Sequence, residues 1–120
     1  MSNLIRGLSE NGGVVFCGVN STEIVRKAEQ LHKTSATCSA ALGRLLTGAA
    51  MMGSMLKDDR DTVTLRVSGN GPAGVLIACT DGTGNVKGCI DNPLVELPLK
   101  ENGHLDVGCL LYTSDAADDK

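Results

Sequence analysis

Five cysteines, two histidines and a short acidic run are the side chains that could hold a metal or carry nucleophilic chemistry in this sequence. The cysteines stand at 17, 38, 79, 89 and 109, with no C-x-x-C or C-x-C pair. Neither a zinc-ligand set nor a dithiol redox motif is therefore expected within the chain. Cys17, Cys38, Cys79 and Cys89 lie in apolar settings such as Val15-Phe16-Cys17 and Ile77-Ala78-Cys79, and are expected to be buried small hydrophobes. His32 and His104 are single and lack the Ser, Cys or acidic partners of a nucleophilic triad. His32, beside Lys33, is explained by the dipole at a helix C-terminus. Asp58, Asp59 and Asp61 lack the ligand pattern and terminal Glu of a calcium loop and read as a solvated linker. No catalytic, cofactor-binding or metal-ligating residue is predicted.

Gly69-Asn70-Gly71-Pro72-Ala73-Gly74 is a literal G-x-G-x-x-G after an expected strand. A dinucleotide site needs that loop to open a helix whose first N–H groups meet the pyrophosphate. Here Val75-Leu76-Ile77-Ala78 follows with an extended pattern, and Pro72 removes one donor. A tight strand-to-strand turn is expected, and a nucleotide-binding enzyme domain using Gly69–Gly74 is the alternative. Met51, Met52 and Met55 could form an adaptable client-binding surface, but core filling is the expectation. Asn20-Ser21-Thr22 is a sequon only by composition in a protein expected to be cytoplasmic.

The elements that position these groups follow from periodicity. Leu4–Ser9 and Val14–Val19 flank Asn11-Gly12, a hairpin signal. Asn20 is placed to cap a helix with Glu23 as capping-box partner, and Glu23 and Lys27 form an i,i+4 pair. Ile24, Ala28 and Leu31 supply that helix's apolar stripe, with Arg26, Lys27, Glu29 and Gln30 facing away. A second helix is expected over 36–57, capped by Thr34 or Ser35. Leu42, Leu45, Met52 and Leu56 form its large stripe, with Cys38 and Ala49. The small residues Ala40, Gly43, Thr47, Ala50 and Ser54 lie nearly opposite. Apolar on two faces, it reads as a buried central helix. Val63, Leu65 and Val67 then alternate with polar residues, and two further strands cover 75–80 and 85–91. Pro93 and Pro98 keep the chain irregular from 94 to 108. The fold class is α+β, with antiparallel strands packed on a helix pair.

Composition limits the function classes. One domain is the ceiling for 120 residues, and its core must be aliphatic because Phe16 and Tyr112 are the only aromatic residues. Net charge is −3, without the basic footprint or the stacking aromatics of a nucleic-acid binder. A membrane span over 36–57 would place Arg44 near the bilayer centre, which disfavours it. The N-terminus has no apolar stretch of signal-peptide length, so a cytoplasmic protein with reduced thiols is expected.

Several motifs agree with one family. Thr22-Glu23 through His32, Ala40-Ala41-Leu42-Gly43-Arg44-Leu45-Leu46-Thr47 and Gly53-Ser54-Met55-Leu56-Lys57 resemble the N-terminal domain of the heat-shock protein 33 family. So do Gly69-Asn70-Gly71-Pro72, Val86-Lys87-Gly88, Asp91-Asn92-Pro93, Leu97-Pro98-Leu99 and Leu105-Asp106-Val107-Gly108. Cys89 departs from the family, which usually carries an aromatic residue there. The resemblance implies a cytoplasmic, ATP-independent holdase chaperone, activated by oxidation and supported by dimerisation, whose partners are unfolding client proteins. It also implies a zinc ion on four cysteines near the family's C-terminus. Cys17, Cys38, Cys79 and Cys89 do not match that ligand spacing, so no zinc and no sensing role is carried onto this chain.

Residues 1–108 are therefore expected to be part of an N-terminal chaperone domain. After Gly108 the run Cys109-Leu110-Leu111-Tyr112-Thr113-Ser114-Asp115-Ala116-Ala117-Asp118-Asp119 leaves the family pattern and resembles an in-frame translation of a sequencing adapter. Residues 109–120 are expected to be a non-native tail.

Overall fold

A computed structural model of the 120-residue chain describes residues 3–112. The architecture is α+β, with a two-stranded and a three-stranded antiparallel sheet around a central helix.

Strands β1 (Asn3–Leu8) and β2 (Val15–Asn20) pair from Leu4 opposite Val19 to Leu8 opposite Val15. The connection is longer than a two-residue turn. Ser9 N–H donates to the Val14 carbonyl (2.8 Å), and Asn11 Oδ1 accepts from Gly13 N–H (2.9 Å) and the Ser9 hydroxyl (2.8 Å).

Helix α1 spans Thr22–His32. Asn20 does not close a capping box: its Oδ1 accepts from Thr22 N–H (3.2 Å) and the Thr22 hydroxyl (2.7 Å), one residue ahead of the expected geometry. Helix α2 spans Ala36–Gly53, and its cap is Ser35, whose hydroxyl accepts from Cys38 N–H (3.3 Å). The helix stops before Lys57. Gly53 is pressed against Thr80, Ser54 bonds back to the Met51 carbonyl (2.6 Å), and the chain tightens into i→i+3 bonds at Met55 and Leu56.

The buried face of α2 is Cys38, Ala41, Leu42, Leu46 and Ala49. Leu45 is only half-buried and Met52 is exposed, so the large stripe sits about one position away from the expected one. The reason is the sheet beneath it. Strands β3 (Thr62–Ser68), β4 (Val75–Asp81) and β5 (Val86–Ile90) lie in the order β3-β4-β5, and their inner face presents Leu76, Ala78, Gly88 and Ile90 to α2. Small residues on both sides let helix and sheet approach closely. The opposite, small-residue face of α2 receives α1: a Cβ on Gly43 would stand 2.9 Å from a Val25 methyl, and the Ser21 and Thr47 hydroxyls meet at 2.6 Å. Two covered faces make α2 central, as its composition predicts.

Residues 91–106 contain no helix or strand; Val95 and Leu97 pack on the core from this segment. Helix α3 (Val107–Leu111) is capped by Asp106, whose carboxylate accepts from Cys109 N–H (3.1 Å). It crosses residue 108, and Leu110 is fully buried in the core. The remainder of the expected tail, 113–120, lies outside the described residues.

Candidate functional site

The chemistry-bearing side chains are dispersed. Among the described residues no group of three or more His, Cys, Asp or Glu could hold a metal ion. Cys38 is buried as expected, its thiol directed at the Asn92 and Val95 carbonyls (3.4 and 3.6 Å). Cys17 and Cys79 are half-buried, with Cys79 Sγ 3.0 Å from the Thr64 hydroxyl. Cys89 is exposed, against expectation: its position on β5 turns it to the outer face of the sheet, away from α2. The hydrogen bond and negative charge of Asp106 push the Cys109 thiol up, away from the reactive thiolate. His32 ends α1, and His104 is exposed in a turn in which its carbonyl accepts from Lys100 N–H (2.9 Å). Asp58 is occupied by Arg60, which donates to it from backbone and guanidinium and holds its carboxyl below the usual carboxylate range.

The Gly69–Gly74 loop leads into β4, not a helix. Three of its donors are spent within the fold: Gly71 N–H bonds the Leu111 carbonyl (3.0 Å), Ala73 N–H the Leu110 carbonyl (3.1 Å) and Gly74 N–H the Gly71 carbonyl (3.3 Å). A Cβ on Gly69 or Gly71 would collide with those carbonyls, so the glycines serve a close backbone approach. No phosphate cradle is left, and the nucleotide-binding alternative loses its basis.

What the structure does assemble is an apolar arm. Residues directly opposite on β1 and β2 share a face. Leu4, Arg6 and Leu8 share one face with Val19, Cys17 and Val15; Ile5 and Gly7 share the other with Gly18 and Phe16. The first face is anchored toward its root, where Arg6 donates to the Ser54 carbonyl (2.8 Å) and Cys17 meets the Ser54 hydroxyl (3.8 Å). Beyond that root Leu8 and Val15 are 64% and 69% exposed, and on the other face Ile5 and Phe16 are 67% and 55% exposed. The Phe16 ring lies across Gly7, the one position opposite it without a side chain. Both outer strand edges are unpaired among the described residues. Near the end of α2, Met52 and Met55 are also exposed, which corrects their assignment to the core. Sequence reasoning missed the arm, although consecutive apolar residues in Val14-Val15-Phe16-Cys17 signal that both faces are apolar.

A surface of this kind gains meaning from the chain's relatives. The family model described as Hsp33 protein matches residues 2–115. The chain is 48% identical over 105 residues to the 33 kDa chaperonin of Clostridium tetani, covering 88% of this chain and 36% of that protein. It is 41% identical to the 33 kDa chaperonin of Thermus thermophilus, covering 92% of this chain and 33% of that protein. The crystal structure of the 33 kDa chaperonin from Thermotoga maritima superposes with a TM-score of 0.85 at 34% identity, over 90% of this chain and 37% of that one. The chain thus spans about a third of the length of the relatives it matches. Matched along nearly all of its own length in sequence and fold, the chain belongs to the heat-shock protein 33 family.

Proposed function

We propose that this chain is part of a non-enzymatic chaperone that holds unfolding proteins without ATP, and that the β1–β2 arm contacts those clients. The exposure of Ile5, Leu8, Val15 and Phe16 on both faces of one hairpin carries the reading. Contiguous exposed apolar surface marks an interaction site, and covering one such side chain contributes about 1.5–3 kcal/mol. An unfolding protein offers complementary surface without a fixed shape, and unpaired strand edges accept extended backbone. The names of the relatives, 33 kDa chaperonin, support the same class.

Activation by oxidation, a cytoplasmic location and homodimerisation belong to this proposal for the longer protein and are supported by family membership alone. The zinc ion implied by the family finds no ligand set among the described residues, and no step here involves it. No helix among the described residues is long and apolar enough to cross a membrane.

The test is light scattering from a thermally unfolding client mixed with the full-length protein, before and after peroxide treatment and with and without ATP. Suppression that appears after peroxide and ignores ATP is expected. Suppression that needs ATP, or none in either redox state, contradicts the proposal.

A further inference from the structure

Asn-Gly pairs are chemically labile, and the sequence has three: Asn11-Gly12, Asn70-Gly71 and Asn102-Gly103. A glycine has no Cβ to shield its nitrogen, which can attack the side-chain amide carbon of the asparagine before it. Exposure does not separate the pairs, because all three asparagines are exposed. What separates them is how the fold holds the glycine.

Two pairs sit in the same kind of turn. Ser9-Glu10-Asn11-Gly12 and Lys100-Glu101-Asn102-Gly103 each close with the glycine N–H donating to the first residue's carbonyl, at 2.9 Å on Ser9 and 2.8 Å on Lys100. In each, the asparagine Oδ1 accepts from the N–H two residues on, Gly13 (2.9 Å) and His104 (3.0 Å). Such an Asx bond folds the side-chain amide back over the peptide whose nitrogen must attack it. Gly12 and Gly103 have φ of 73° and 82°, and a Cβ on either would meet nothing within 4 Å. Closing a ring there displaces no packed neighbour.

The third pair is clamped. Gly71 N–H donates to the Leu111 carbonyl (3.0 Å), and a Cβ on Gly71 would collide with the Leu110 carbonyl and the backbone of Leu111 and Tyr112. Turning this peptide toward the Asn70 amide carbon means lifting α3 off the loop.

We infer that Asn11 and Asn102 are deamidation sites of the folded chain, and that Asn70 is protected until α3 releases the Gly69–Gly74 loop. The glycine nitrogen bonds to the asparagine Cγ, the Cγ–Nδ2 bond breaks, and ammonia leaves with the glycine proton. Water then opens the succinimide at either carbonyl, giving aspartate or isoaspartate. Aspartate keeps an oxygen for the Asx bond. Isoaspartate carries its Cβ in the main chain, so the turn gains a methylene and the Asx bond is lost. At Asn11 that change falls at the tip of the β1–β2 arm, whatever the arm binds.

In the test, the folded 120-residue chain is aged in mildly alkaline buffer and each pair is followed by peptide mass spectrometry. Methylation by an isoaspartyl methyltransferase identifies the isoaspartate. Conversion at Asn11 and Asn102 is expected to run roughly tenfold or more ahead of Asn70, the factor that about 1.4 kcal/mol of extra opening cost supplies. In concentrated urea the three rates should converge. No conversion at Asn11 and Asn102, Asn70 converting as fast as they do in the folded chain, or a lag at Asn70 that persists in urea overturns the inference. Hydrogen exchange reads the effect on the arm. Gly13 N–H should lose its protection in the isoaspartyl product at position 11, and unchanged protection contradicts the lost Asx bond.

Discussion

Asp81 accepts from Thr83 N–H (2.9 Å), the Thr83 hydroxyl (2.6 Å) and Asn85 N–H (3.3 Å), and so fastens the β4–β5 turn. Those bonds, the Thr83 hydroxyl first, hold its carboxyl below the ordinary carboxylate range. Asp106 is held low in the same way by Cys109 N–H at the start of α3. A carboxyl depressed in the folded state contributes stability above its unfolded value, near 3.9, and loses it as pH falls through the lower folded value. Urea midpoints should therefore drop with pH in that acid window, and the dependence should be shallower in Asp81→Asn. An identical pH profile in that variant would mean the turn bonds contribute nothing. At Gly71 a Cβ would meet the Leu110 carbonyl and the backbone of Leu111 and Tyr112. Gly71→Ala should cost about 1–3 kcal/mol in denaturant unfolding, the range for forced overpacking. Such single-residue constraints were partly legible: the G-x-G-x-x-G string announced a tight loop, and the extended run after it excluded a phosphate cradle. That its glycines make room for α3 was not legible, because the approaching backbone lies about forty residues further along the chain.

Helix α2 is the element on which both sheets and α1 depend. Leu42 and Leu46 are each 1% exposed and face the closely packed inner side of β4 and β5. Replacing either by Ala should cost about 2–5 kcal/mol by denaturant unfolding, through lost burial and a residual cavity. Ser35→Ala, which removes the α2 cap, should cost about 0.5–2 kcal/mol. The sequence announced this helix, its two-faced burial, the β1–β2 hairpin and the three later strands, because period and turn chemistry are local, while its cap stayed open between Thr34 and Ser35. It misplaced the buried stripe, choosing Leu45 and Met52 over Ala41 and Leu46, because side-chain size suggested the core while close approach to Ala78 and Gly88 decided it. Cys89 was misread for a related reason: alternation fixes which residues share a face of β5, and only the position of α2 decides which face is inside.

At the scale of the molecule, the described residues form a compact core with an apolar arm on it, within extents of 47 × 34 × 25 Å. An isolated two-stranded hairpin is marginal in water, and this one leaves both edges and much of both faces uncovered among the described residues. Self-association of the 120-residue chain should consequently rise with concentration in sedimentation velocity. The double variant Ile5→Ser/Phe16→Ser should reduce it, and equal self-association in that variant would place the sticky surface elsewhere. The arm as a client contact is the central claim, and site-specific crosslinking tests it most directly. A photoreactive benzoylphenylalanine is placed at Phe16, and in a control at Thr64 on the exposed side of β3, in the full-length protein. Each is irradiated after peroxide treatment while a client unfolds. The account predicts client adducts from position 16 and few from position 64; adducts absent at 16, or equal at both positions, would contradict it.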